Sequence, residues 1–250
     1  NGRSYTMLGK LDVTDVKEIR MESTMKKRAL IIGGIGILFF IIWTIIVCTV
    51  DRQQIGVVAD GQKSFIGLAT MNQAYRDCLP TNFTLYSATD WGSIPAVLVG
   101  VVFFILGVYQ WFTRKDIKDV DINILFLGVF YVLMLVIYLI FLYAPINYRP
   151  VYIDGKAELS YPSSTTILSI GFLSTAILNN YIYIKKKWLA HLVSGIELAY
   201  MVFLIVGRLL SGVHWLSDII GALILGVSLF FLYLGLYKIG YSKKENSDAN

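Results

Sequence analysis

The sequence predicts an all-α membrane protein with six transmembrane helices and both termini in the cytoplasm. Its 250 residues are 56% hydrophobic and only 16% charged, whereas a soluble domain carries roughly a quarter charged residues. The charged residues also fall in short blocks between apolar runs of about 20 residues, the length that crosses a bilayer as a helix. This pattern excludes a soluble enzyme. The net charge of +5 is attributed to the loops of a membrane protein and not to nucleic-acid binding.

Six apolar segments are long enough to span the membrane. The first, Ala29–Val50, contains no charged residue. Its glycines Gly33, Gly34 and Gly36 predict close helix packing and not a phosphate loop, because no strand precedes them. The other five segments are Ser93–Phe112, Ile122–Tyr143, Thr165–Ile184, Trp188–Gly207 and Ile219–Tyr237.

Composition divides the chain into three regions. Residues 1–24 are polar and precede Met25, and we expect them to be an extension or an added sequence outside the fold. Residues 25–240 form the six-span domain, and residues 241–250 form a polar tail. Within the domain, the connection 51–92 is polar, and the spacing of its apolar residues predicts an interfacial helix over Ser64–Cys78.

The distribution of positive charge sets the orientation of the spans. Sixteen of the 22 lysines and arginines fall in the N-terminal segment, the connections 113–121 and 185–187, and the C-terminal tail. All of these lie on one side of a six-span protein, and this side is expected to be cytoplasmic. Two polar segments, 148–166 and 208–218, then face the extracytoplasmic side. We expect the protein in the cell membrane, since no cleavable signal is recognised.

The second of these segments carries the most informative motif. Arg208, His214 and Asp218 lie where the fifth span ends and the sixth begins. A histidine and a carboxylate at i and i+4 share a helix face, and the carboxylate can fix the tautomer of the imidazole. An arginine supplies a planar charge suited to phosphate. The alternative is an interfacial arginine with Asp218 as a helix cap.

Two further segments extend this motif into a family resemblance. They are Tyr148-Arg149-Pro150 and Tyr161-Pro162-Ser163-Ser164-Thr165-Thr166. Together with the Arg208 motif they resemble, over about residues 25–240, the type-2 phosphatidic acid phosphatases, integral membrane lipid phosphate phosphatases. The family pattern reads K-x6-R-P, then P-S-G-H, then S-R-x5-H-x3-D.

The resemblance implies a role for each matching residue. His214 would attack phosphorus and form a phosphohistidine, with Asp218 orienting it. Arg149, Arg208 and Ser163, with backbone amides near Ser164, would hold the phosphoryl oxygens. No metal or other cofactor is implied, which agrees with the lack of a metal-ligand cluster in the sequence. Ser163 and Ser164 are equally suited to capping the fourth span.

This chain departs from the family pattern at three positions. The motif lysine is Leu142, the serine before Arg208 is Gly207, and the histidine of the second motif is Thr165. In the family this histidine protonates the leaving oxygen, and a threonine hydroxyl is too weak an acid to do so. Tyr148, Tyr161, Asp154 or Glu158 are alternative proton donors, whereas His191 lies beside the cytoplasmic lysines.

A diphosphate substrate would make the missing acid less important. Phosphate has a second pKa of about 6 and departs without a proton, whereas an alkoxide is strongly basic. The sequence therefore favours a phosphatase acting on a lipid-linked phosphate, with preference for a polyprenyl diphosphate over phosphatidic acid. The competing interpretation is a pseudoenzyme that binds a lipid phosphate headgroup without turning it over.

Three remaining features carry less weight. A transporter is disfavoured because Glu197 is the single ionisable residue inside the spans and no repeat is visible. We expect Glu197 to pair with a hydroxyl or an asparagine in the bundle. Cys48 and Cys78 form either one disulfide or two free thiols.

Overall fold

The computed structural model describes residues 13–57, 63–153 and 155–248. The chain forms seven α-helices and one β-hairpin. The elements in chain order are α1 (Val13–Thr49), β1 (Gln53–Val57), β2 (Lys63–Ile66), α2 (Ala69–Asp77), α3 (Phe83–Arg114), α4 (Ile122–Tyr143), α5 (Ser164–Tyr183), α6 (Lys187–Leu210) and α7 (Leu216–Asp248).

The six-span prediction is confirmed. Among the described residues, α1, α3, α4, α5, α6 and α7 are long and apolar enough to cross a membrane. The bounds of α4 match the expected span, and α5 differs from it by one residue at each end. Three of the spans belong to longer helices, because hydrogen bonding along a helix continues past the lipid boundary wherever no breaker residue intervenes.

Helix α5 lies at the centre of the bundle. It packs against α3, α4, α6 and α7 and is the most buried of the six spans. Its buried face is rich in hydroxyl and amide side chains, including Ser169, Thr175 and Asn179. These groups bond within the bundle: Asn179 Nδ2, for example, donates to the Tyr233 hydroxyl of α7 at 2.8 Å.

Helix α1 packs along α7, and glycines allow the two backbones to approach closely. A Cβ atom added to Gly33 would meet Leu232, and one added to Gly36 would meet Ser228. The predicted packing role therefore holds for these two glycines. It does not hold for Gly34, where an added Cβ has open space around it.

Three segments cover one end of the bundle: the β-hairpin with α2, the irregular chain between α4 and α5, and the α6–α7 turn. The expected helix over Ser64–Cys78 is wrong in its first part, because residues 63–66 form strand β2 and the helix begins at Ala69. The polar connection expected up to residue 92 is also too long. Asn82 caps α3 by accepting a hydrogen bond from the backbone N–H of Leu85, so α3 begins ten residues before the expected span.

The two chain ends differ from the predicted regions in a similar way. Helix α1 begins at Val13, so the second half of the expected extension is helical and continuous with the first span. Residues 1–12 lie outside the described part of the chain. At the other end, α7 continues to Asp248 through most of the expected polar tail.

Candidate active site

A cavity of about 490 Å³ opens at the covered end of the bundle. The first turns of α3, the chain between α4 and α5, the start of α5 and the α6–α7 turn all contribute to it. Its polar part is lined by Tyr86, Asp90, Arg149, Glu158, Ser160, Tyr161, Ser164, Arg208 and His214. The structure thus brings together Arg149, Ser164, Arg208 and His214, which are far apart in the sequence.

His214 lies at the base of this cavity with a defined orientation. Its Nε2 is 3.1 Å from the Arg149 guanidinium nitrogen NH1. Because an arginine only donates hydrogen bonds, Nε2 is the acceptor and the ring proton lies on Nδ1. Nδ1 lies 3.5 Å from Asp218 Oδ2, a separation at which it makes no hydrogen bond among the residues that the structure describes. Nε2, beside Arg149, is the ring nitrogen that carries the free electron pair.

The surroundings of His214 keep its imidazole neutral. Burial, followed by the charges of Arg149 and Arg208, holds the pKa of His214 well below its ordinary value of 6.5. A neutral imidazole has the free electron pair that a nucleophile needs.

We expect the acid limit of activity to reflect this lowered pKa. Protonation of Nε2 removes the nucleophile, and a pKa below 6.5 moves this loss to a pH below that of a free histidine. Formation of the phosphorylated protein, measured in a single turnover, should therefore persist below pH 6.5 and fall only at more acidic pH. A midpoint at or above 6.5 would contradict the assignment of His214 as a neutral nucleophile.

Asp218 serves as both helix cap and partner of His214. It is the third residue of α7, and its Oδ2 accepts a hydrogen bond from the backbone N–H of Trp215 at 3.1 Å. This is the arrangement of a capping box, in which an acidic side chain reaches back to the start of its own helix. The same oxygen faces His214. One carboxylate oxygen of Asp218 therefore caps α7 and also lies beside His214 Nδ1.

Each of the two arginines is paired with a carboxylate, a pairing that the sequence did not predict. Arg208 NH2 pairs with Asp90 Oδ1 at 2.9 Å, and Arg149 Nε pairs with Glu158 Oε2 at 3.0 Å. The ring of Tyr86 lies 4.7 Å from the Arg208 guanidinium carbon and 5.8 Å from that of Arg149. Arg208 is only 1% exposed, which excludes the simple interfacial arginine.

The neighbouring residues Ser163, Ser164 and Thr165 lie in different environments at the start of α5. Ser164 lines the cavity. Ser163 is buried beneath it, where its backbone N–H donates to the Asp218 carbonyl at 3.3 Å and its hydroxyl accepts from Thr166 at 3.1 Å. Thr165 is buried too, and its carbonyl accepts a hydrogen bond from Ser169.

The alternative proton donors are not equally placed. The Tyr161 hydroxyl pairs with Thr44 at 2.8 Å, and burial raises its pKa, which is the wrong direction for an acid. Tyr148 lines a smaller neighbouring cavity of about 90 Å³. Glu158 lines the main cavity, and Asp154 lies outside the described residues.

A buried amide network behind Asp218 was also missed. Asn147 Nδ2 donates to Asp218 Oδ1 at 2.8 Å, and its Oδ1 accepts from the Gly67 backbone at 2.9 Å. Asn72 and Asn147 both donate to the Ser217 hydroxyl, at 2.8 and 3.2 Å. These four side chains are fully buried. The network ties the covering segment, through Asp218, to the nucleophile.

Other residues singled out in the sequence lie away from the cavity. Asn180 donates to the Glu197 carboxylate at 2.7 Å, the kind of pairing expected inside the bundle. Cys48 and Cys78 are free thiols. Within the described part of the chain, no group of three His, Cys, Asp or Glu side chains is arranged to hold a metal ion.

Comparison with known proteins gives two matches. Residues 144–239 match the model of the PAP2 superfamily. The fold is similar to that of a transmembrane PAP2-type phosphatidylglycerolphosphate phosphatase from Bacillus subtilis, with a TM-score of 0.50 and 19% sequence identity over 85% of this chain and 96% of that one. No curated protein matches the sequence at a significant level.

Proposed function

We propose, from the match of residues 144–239 to the PAP2 superfamily model and from the motif residues gathered at the cavity, that this chain is a membrane lipid phosphatase working through a phosphohistidine. The observation that carries the proposal is the placement of His214. Its Nε2 faces the cavity beside Arg149, and its Nδ1 faces Asp218. Phosphoryl transfer requires little more than an in-line nucleophile and positive charge around the phosphoryl oxygens.

The reaction proceeds in two steps in this site. A phosphoryl oxygen first replaces His214 Nε2 as the acceptor of the hydrogen bond that Arg149 donates. Nε2 is then free to attack phosphorus. An N–P bond forms, the P–O bond to the leaving group breaks, and Asp218 stabilises the charge that develops on the imidazole. Water then attacks the phosphohistidine and releases inorganic phosphate. Arg208 and the backbone amide at Ser164, the residue of this segment that lines the cavity, stabilise the phosphoryl oxygens in both steps.

The walls of the cavity support a lipid-linked substrate. Besides its charged and polar residues, the cavity is lined by apolar side chains of α4 and α5: Ile137, Phe141, Leu142, Ile167 and Leu168. A phosphate on a hydrocarbon tail matches this division, since the headgroup meets charge while the tail remains in an apolar environment. Under the positive-inside assignment, the site faces the extracytoplasmic side.

The replacement at Thr165 supports a preference for a polyprenyl diphosphate. Thr165 is buried within α5, and the nearby Tyr161 hydroxyl is engaged by Thr44. Thr165 therefore gives an alkoxide leaving group no acid at the position where the family provides one, whereas a phosphate leaving group does not need one.

The substrate preference can be measured directly. Purified protein should release phosphate faster from a polyprenyl diphosphate than from phosphatidic acid, by up to the ~10²-fold that a general acid contributes. Thr165→His should raise turnover of phosphatidic acid without a matching gain on the diphosphate. Equal rates on both lipids would contradict the preference.

The second candidate function is a headgroup-binding pseudoenzyme, which the absence of the family acid at Thr165 favours. It predicts that lipid phosphates bind with a defined affinity while no phosphate is released from either lipid. Restoration of release by Thr165→His alone would then identify the lost acid as the cause.

A further inference from the structure

Each arginine of the cavity is already paired with a carboxylate. Arg208 pairs with Asp90 and Arg149 with Glu158, at 2.9 and 3.0 Å. The arginine side chains are 1% and 9% exposed, whereas the carboxylate side chains are 48% and 43% exposed. The arginines are thus held in the wall, and the carboxylate is the more exposed member of each pair.

This pairing leaves the cavity without net charge. The charged side chains that line it in the described part of the chain are Asp90, Arg149, Glu158 and Arg208, and their formal charges cancel. The other titratable groups facing it add no positive charge: His214 is neutral, Asp218 lies behind His214, and the rest are Tyr86 of α3, Tyr138 of α4 and Tyr161.

A phosphate dianion bound here lies close to both carboxylates. Contact between like charges disfavours ionisation, so that one of the interacting groups retains or acquires a proton. The repulsion between the phosphate and the carboxylates is smallest when a phosphoryl oxygen and one of the carboxylates share a single proton.

We propose that phosphate binding takes up one proton, held between the phosphoryl group and Asp90 or Glu158, and that this proton passes to the leaving oxygen. As the His214 N–P bond forms and the P–O bond breaks, the electron pair of that bond goes to the leaving oxygen, which receives the proton. The carboxylate is then ionised. The water that attacks the phosphohistidine in the second step returns a proton to the carboxylate. The proposal rests on the proposed phosphatase function.

This assignment supplies the proton that Thr165 does not provide. Asp90 and Glu158 are the acidic side chains that line the cavity among the described residues. It also gives the carboxylates beside the arginines a part in the reaction besides pairing with buried guanidinium groups.

Proton uptake can be counted with a substrate analogue. A long-chain alkyl phosphonate, in which carbon replaces the leaving oxygen, is titrated calorimetrically in two buffers of different ionisation enthalpy. At a pH well above the second pKa of the ligand, the full chain should take up close to one proton for each phosphonate bound. The double variant Asp90→Asn/Glu158→Gln should take up less than half a proton and bind at least ~10-fold tighter, because a like-charge contact is removed. The two single variants identify the carboxylate that holds the proton.

Asp77→Asn is the matched control. It removes one negative charge from an exposed position on α2 at the same end of the bundle, and it should leave proton uptake and affinity unchanged. Absence of proton uptake by the unaltered protein, or weaker binding by the double variant, would overturn the proposal and leave the carboxylates as positioning groups for the arginines.

The same experiment separates this inference from the proposed function. Phosphate release from lipids without proton uptake on phosphonate binding would overturn the inference and leave the phosphatase intact. Proton uptake without release from any lipid would contradict the phosphatase, and with it the transfer of the proton to a leaving group.

Discussion

Replacing His214 with alanine is expected to reduce phosphate release from a lipid diphosphate by at least ~10³-fold, because the covalent intermediate can no longer form. The substitution removes the nitrogen that faces the cavity but leaves Asp218, Arg149 and Arg208 in place. Substrate should therefore still bind, and the loss should appear in kcat and much less in KM. Phosphate release under saturating substrate measures the first effect, and competition with a lipid phosphonate measures the second.

His191 provides the matched control for this prediction. It is the other histidine of the chain, it pairs with the Tyr181 hydroxyl at 3.1 Å, and it lies near the end of the bundle opposite the cavity. His191→Ala should keep full activity. Protein quenched during turnover should also carry acid-labile phosphate, and His214→Ala should carry none. Labelling that survives in His214→Ala would contradict the assignment of the nucleophile.

Replacing Asn147 with alanine is expected to weaken both the fold and catalysis. The change leaves Asp218 Oδ1, the Gly67 N–H and the Ser217 hydroxyl without a bond that each now makes. A buried polar group without a partner costs about 1–3 kcal/mol, and loss of a group that orients a catalytic side chain commonly costs about 10–100-fold in activity. Thermal unfolding in detergent measures the stability, and kcat at saturating substrate measures the catalytic effect.

Asn179→Ala separates the two effects. Asn179 is equally buried but lies in the centre of the bundle, bonded to Thr175 and Tyr233. Its variant should lose comparable stability while the protein that remains folded keeps its kcat. If Asn147→Ala lowers stability but not kcat, the network supports the fold alone and does not orient Asp218.

The sequence was sufficient to predict the transmembrane architecture, for a physical reason. Every backbone group inside lipid must bond within its own helix, so each span appears as a long apolar run. Outside lipid this constraint disappears. The start of α3 was missed because residues 83–92 are polar enough to resemble a loop, and Tyr86 and Asp90 were missed with them. A signal was present: Asn82 is a suitable N-cap, and Tyr86 and Asp90 are four residues apart on one helix face.

The same limit applies to the candidate site. Arg208, His214 and Asp218 were recognisable because they lie close together in the sequence, at the end of α6, in the connection and at the start of α7, with the spacing of the family motif. The expectation that His214 and Asp218 share a helix face is wrong, because α7 begins at Leu216, after His214. Glu158 and Asn147 come from the irregular chain between α4 and α5, and Asn72 comes from α2. For these residues, spacing in the sequence does not predict which side chains meet in the fold. An asparagine in a polar connection looks like a turn residue. Only the folded chain shows that Asn72 and Asn147 are fully buried.

The composition of α5 has a consequence for how the protein is made. Its hydroxyl and amide side chains would meet hydrocarbon if α5 entered the bilayer alone, and polar groups without partners are costly there. Asn180 finds its partner on α6, but Asn179 bonds to Tyr233, near the end of the last span. The bond between Asn179 and Tyr233 can therefore form only after nearly the whole chain has been synthesised, so the packing of α5 is completed late.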